Sequence, residues 1–193
     1  YFFFVSGTWE DGHLKAYGTN GRAKTCFSLF NIPQANFSVL TGGVNHVNFW
    51  RLRGRVLTSH RGFFGKKAHV QPVLCGAVIR SHFVCGTSSG HLLVFDQITR
   101  TVSRSVKAHS KAINAMNERD TDCGHFLLTG SKDGVVKIWN HNLICQKAFD
   151  MNDANPTPRI PSVRSVAINK FGNTILIGTQ GAEIYEVSSI LAT

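Results

Sequence analysis

LLTGSKDGVVKIWN, residues 127–140, sets a tight polar turn between two apolar runs. Leu127, Leu128 and Thr129 lead into Gly130-Ser131-Lys132-Asp133-Gly134, and Val135, Val136, Ile138 and Trp139 follow. Short apolar runs divided by glycine-rich turns are the pattern of strands, not of a helix. The open question is whether Asp133 and Trp139 share this unit for chemistry or for architecture.

Laying the chain against itself answers it. CGTSSGHLLVFD (85–96) matches TGSKDGVVKIWN (129–140) without a gap, placing Gly86 on Gly130, Gly90 on Gly134 and Phe95 on Trp139. LTGGVNHVNFW (40–50) precedes them and ends on Trp50; LIGTQGAEIYEV (176–187) follows, with Tyr185 read as its aromatic anchor. FVSGTWEDGHLKAY (4–17) is a weaker fifth copy. Trp50, Phe95, Trp139 and Tyr185 are 45, 44 and 46 residues apart, close to the roughly 40–45 residues of one four-stranded propeller blade. The clearest unit divides into strands at 113–119, 125–132, 135–142 and 144–151. Tyr17 to Trp50 is only 33 residues, so either the first unit lacks a strand or residues are missing near 20–24.

A threonine before the turn, an aspartate in it and a tryptophan after it resemble a WD40 blade. His109 stands where that family carries a glycine–histidine pair, here Ala108-His109. The resemblance implies a structural hydrogen-bonded chain through His109, Thr129, Asp133 and Trp139, since buried polar groups must find partners. An Asp–His general base would need a nucleophile and a pocket that the neighbouring copies do not preserve. They carry Cys85, Ser89 and Phe95, or Gly181 and Tyr185, at the matching places. The expectation is architecture, without catalysis.

The net charge of +10 is unevenly placed. No acidic residue lies between Asp11 and Asp96, while the interval holds ten lysines and arginines. Such asymmetry suits an anionic partner. The five cysteines are scattered and form no C-x-x-C pair, so neither a zinc cluster nor a disulfide framework is expected. The histidines show no H-x-x-x-H or H-E-x-x-H set, and no metal or cofactor is expected. No run is long enough to cross a membrane as a helix.

Residues 40–189 also resemble the echinoderm microtubule-associated protein-like family. The resemblance rests on Phe49-Trp50, Arg53-Gly54, the loop Gly62-Phe63-Phe64-Gly65-Lys66-Lys67, Leu74-Cys75, KAHSKAINAM (107–116) and IPSVRSVAINKFGNTILIGTQ (160–180). It departs at Gly181-Ala182, where that family often has an aromatic or aliphatic residue. The family's amino-terminal coiled coil and the hydrophobic motif ahead of its propellers have no counterpart in these residues, so nothing they do is carried over.

The resemblance implies an all-β fold: about four to five four-stranded blades of a larger, tandem propeller. Residues 1–39 would be partial blade, 40–159 WD40 blades, and 160–193 the start of a further blade or a junction. The remaining blades of the same protein are then expected as partners. The implied function is a non-catalytic microtubule-associated scaffold, binding tubulin or axonemal proteins on the cytoplasmic cytoskeleton, including the cilium or flagellar axoneme. The candidate contact is Arg51, Arg53, Arg55, Arg61, Lys66 and Lys67, with the three arginines in one strand row. Phe63 and Phe64 are both expected against the adjoining blade. An RNA-binding adaptor using the basic 12–95 region is the alternative.

Overall fold

The computed structural model describes residues 3–7, 14–19, 26–31, 39–53, 56–80, 82–122 and 124–188, with only the course of the backbone before residue 39 and at 52–57. β1 (Phe3–Gly7) and β2 (Leu14–Thr19) form a hairpin. Blade I comprises β3 (Cys26–Asn31), β4 (Val39–Gly43), β5 (His46–Arg53) and β6 (Val56–Arg61). Blade II comprises β7 (Val73–Ile79), β8 (His82–Thr87), β9 (His91–Phe95) and β10 (Val102–Lys107). Blade III comprises β11 (Ile113–Thr121), β12 (Gly124–Ser131), β13 (Val135–Asn140) and β14 (Cys145–Asp150). Blade IV has three described strands, β15 (Val163–Ile168), β16 (Thr174–Thr179) and β17 (Ile184–Ser188).

Within each blade the strands run antiparallel in chain order. The first strands β3, β7, β11 and β15 lie side by side, which places them towards the axis and the fourth strands at the rim. Among the described residues the opening hairpin has no inner strand beside it. It joins the rim of blade I instead, β2 pairing in parallel with β6 through Gly18–Val56 and Thr19–Leu57. The proposed gap near 20–24 lies outside the described residues.

Three cores fill the spaces between the four blades, one per interface. Strand alternation supplies them, because successive side chains point to opposite faces; β7 alternates buried and half-buried residues along its whole length. On the face towards the next blade, each blade carries apolar residues from its second and third strands, among them one pair that recurs at the same register. These are Leu40 and Val47, Val84 and Leu92, and Leu128 and Val136, all buried. Full burial of such a side chain is worth about 1.5–3 kcal/mol. Leu176 and Ile184 hold the same register in blade IV but are 45 % and 79 % exposed. No further sheet covers that face among the described residues, so the ring is partial.

Glycine sets the spacing between blades. A Cβ on Gly86 would stand 2.6 Å from Cys75 Sγ and 2.8 Å from Ile113 Cγ2 at the start of the next blade's first strand. Gly130 meets Val163 of blade IV in the same way. Gly86→Ala is therefore expected to cost about 1–3 kcal/mol through overpacking, read as a lowered urea midpoint. An unchanged midpoint would contradict this packing.

The register also corrects one anchor. Trp139 pairs with Leu127 and Phe95 with Phe83, whereas the residue in that place in blade IV is Val187, opposite Ile175. Tyr185 pairs with Ile177, two positions earlier. An aromatic at nearly the right interval drew the sequence alignment to the wrong residue.

Candidate interaction surface

The turn quoted first closes one end of blade III. Trp139 Nε1 donates to Thr129 Oγ1 at 2.9 Å, and Thr129 Oγ1 lies 2.8 Å from His109 Nε2. His109 Nδ1 faces Asp133 Oδ1 at 3.5 Å, longer than an ordinary hydrogen bond. The carboxylate beside Nδ1 favours the tautomer with its proton there, leaving Nε2 to accept from Thr129. Asp133 also accepts from Ser110 N and Ser110 Oγ at 2.9 Å each, and from Val135 N at 3.0 Å.

All four residues singled out from the sequence thus meet, and they tie the loop entering the blade to its central hairpin. The atom order is that of a catalytic triad, but Thr129 is fully buried and its oxygen receives the indole N–H. No substrate carbonyl reaches that hydroxyl.

Burial holds the His109 imidazole down, to about 4, against the opposing pull of Asp133. Burial pushes the Asp133 carboxyl upward, but hydrogen bonds involving Val135, Ser131 and Ser110 outweigh it and hold the group at about 2.

The neighbouring copies keep parts of this arrangement: the tryptophan–threonine bond in blade I, and a loop contact through other residues in blades II and IV. In blade I, Trp50 Nε1 donates to Thr41 Oγ1 at 2.9 Å. In blade II, Ser89 bonds Gln71 of the entering loop. In blade IV, Glu183 accepts from Arg159 N at 3.1 Å and from Thr179 Oγ1. Backbone bonds repeat alongside, from Ser88 N to Pro72 O, Lys132 N to Ala112 O and Gln180 N to Ser162 O. Sequence comparison looked for an acid at Gly181 and passed over Glu183; a carboxylate anywhere in that turn was the available signal.

The basic run is less compact than its sequence. β5 carries Arg51 and Arg53, and Arg53 pairs with Val56 of β6. Arg55 and the side chain of Arg53 lie outside the described residues. Arg51 is half-buried, while Arg61, Lys66 and Lys67 are exposed around the exit from blade I. Lys67 Nζ donates to Ser103 O at 2.8 Å, fastening the loop to β10.

Phe64 is buried and meets Phe95 edge-on with centroids 5.7 Å apart, whereas Phe63 is 54 % exposed. The second half of the Phe63-Phe64 expectation holds and the first does not. Phe63 pairs through its backbone with Arg100 O and Val102 N, and extended backbone sends neighbouring side chains to opposite sides.

Cys75 and Cys85 are buried thiols, the first pushed up by burial to about 12 and the second well above its ordinary value. Both are therefore uncharged hydrophobes. Cys145 is exposed. No metal-binding group of histidine, cysteine or acidic residues forms among the described residues.

Thr129→Val should cost about 2–3 kcal/mol, because it strands both the Trp139 N–H and His109 in the interior. Thr41→Val, which strands one indole, should cost about 1–2 kcal/mol; denaturant titration of the pair reads the difference. The His109 imidazole is held below its unfolded value of about 6.5, so its contribution is complete above that pH and drains as pH falls towards about 4. Asp133 follows from about 3.8 down to about 2. His109→Gln should flatten the decline in urea midpoint between pH 6.5 and 4; an equal slope in both proteins would contradict the assignment.

Comparison with known proteins agrees with this geometry. The WD domain, G-beta repeat family model matches residues 100–140. Echinoderm microtubule-associated protein-like 1 of Mus musculus is 35 % identical over 144 residues, covering 73 % of this chain and 17 % of its own length. Echinoderm microtubule-associated protein-like 4 of Xenopus tropicalis is 29 % identical over 162 residues, 76 % of this chain and 17 % of that protein. The chain thus spans under a fifth of the curated relatives it matches. Among solved structures, the WD40 β-propeller domain of Doa1 superposes with a TM-score of 0.69 at 17 % identity, covering 97 % of this chain and 60 % of that one. A computationally designed protein gives 0.68 at 16 % identity, covering 97 % and 55 %. Blade architecture, turn chemistry and relatives together identify the chain as a stretch of WD40-type β-propeller related to the echinoderm microtubule-associated protein-like family.

Proposed function

We propose that this chain is a non-catalytic scaffold element that associates with microtubules, its propeller surface contacting tubulin or axonemal proteins. The observation that carries the reading is the acid-free stretch from residue 12 to residue 95, which delivers Arg61, Lys66 and Lys67 as exposed cations at the exit from blade I. Similarity to proteins named for microtubule association supplies the partner class. Clustered cations attract an acidic surface cumulatively, and the attraction weakens with salt. The reading places the protein on the cytoplasmic cytoskeleton, with the cilium or flagellar axoneme as a specialised site. The exposed Leu176 and Ile184 supply the face for a further blade of the same protein.

RNA through residues 12–95 has less support. Phe49, Trp50, Phe64, Phe83 and Phe95 are buried, which leaves Phe63 as the exposed ring among the described residues of that span, and single-strand binding relies on successive stacking platforms.

Co-sedimentation of the full chain with microtubules tests the proposal. Binding should fall when the acidic tubulin tails are removed, and Arg61→Glu with Lys66→Glu should weaken it about tenfold. Retention of full binding by that double variant sinks the patch, and absence of binding at low salt sinks the partner.

A further inference from the structure

The end of blades II and III that carries the Asp133 turn gathers a second cationic group that no contiguous sequence run announces. Lys107 closes β10, Lys111 lies in the loop that follows, Lys132 sits in the turn after β12, and Lys137 rises from β13. Lys107 Nζ donates to Ser89 O at 2.7 Å and Lys137 Nζ to Ala108 O at 2.7 Å, so two of the four are held in place. Ala108 N and His109 N both donate to Gly90 O at 3.0 Å, next to Ser89, which brings the two anchoring carbonyls to one corner. The backbones of the other two join the same corner, Ser131 Oγ donating to Lys111 O at 3.3 Å and Lys132 N to Ala112 O at 2.8 Å.

The carboxylate inside this group is Asp133, and its oxygens are already taken by Ser110 and Val135 while facing His109. It is ionised and offsets one positive charge, so the four lysines keep a net positive charge around it. Acids at the same end, Asp150, Asp153 and Glu183, lie towards or on blade IV; Asp150 Oδ1 is bonded to Asn152 and Glu183 to Arg159 N and Thr179. They bound the group on one side.

We propose that Lys107, Lys111, Lys132 and Lys137 form a docking surface for an extended acidic peptide, rich in glutamate or aspartate. Exposed Lys107, Lys111 and Lys132, with half-buried Lys137 behind them, suit a flexible chain of carboxylates, which can reach the cations in turn. Nucleic acid fits less well, because the large ring within this group, Trp139, is buried with its face under Lys137 at 5.8 Å. No base can stack there. These lysines are other residues than Arg61 and Lys66, on blades II and III, and the test does not depend on microtubule association.

The experiment is fluorescence anisotropy of a labelled oligoglutamate peptide titrated with the full chain at low and moderate salt. Lys111→Glu with Lys132→Glu should weaken binding about tenfold or more, and the glutamine pair at the same positions about threefold. Arg61→Glu with Lys66→Glu should leave it within about twofold. Near-UV circular dichroism checks the fold, and should the glutamate pair fail to fold, the glutamine pair carries the test. The proposal is overturned by no binding at low salt, by equal binding of parent and folded variants, or by an equal loss in the Arg61/Lys66 variant. Tighter binding of a uridine oligonucleotide of equal charge also overturns it, in favour of nucleic acid.

Discussion

Each blade presses the apolar face of its second and third strands onto the first strand of the next, with a glycine where the two backbones come closest. Leu128 and Val136 against the residues around Val163 form one such contact; Val84 and Leu92 against those around Ile113 form another. A four-stranded sheet cannot bury both faces alone. The repeat therefore has to propagate, and the exposed Leu176 and Ile184 are the face that the next such contact would cover.

That packing leaves each connecting loop at the end of the strands, where its polar backbone needs fixed partners. The His109, Thr129, Asp133 and Trp139 network is the fullest solution. Ser89 with Gln71 and Glu183 with Arg159 are reduced versions of it. Fastening these loops has a second effect: it fixes where Lys107, Lys111 and Lys132 stand, so loop architecture and surface charge are set by the same bonds.

Much of the fold was legible because its signals are local. Glycine spacing and an aromatic at regular intervals mark a hairpin wherever they occur, and the strands read between residues 113 and 151 match β11 to β14 closely. The misreadings came where local pattern competed with pairing. Tyr185 is aromatic and nearly in place, yet the register gives its position to Val187. Phe63 looks as apolar as Phe64, yet backbone pairing to β10 turns it outward.

By itself the sequence determined the blade period, the turn residues and the sign of the charge, since these follow from chain geometry and composition over a few residues. Only the tertiary structure decided which charges are spent and which are free. Asp133 bonds Ser110 and Val135 and faces His109, while Lys107 of one blade and Lys137 of the next are anchored on Ser89 O and Ala108 O at the same corner. Electrostatic recognition depends on distance in space, and that distance is set by how blades pack rather than by how residues follow one another.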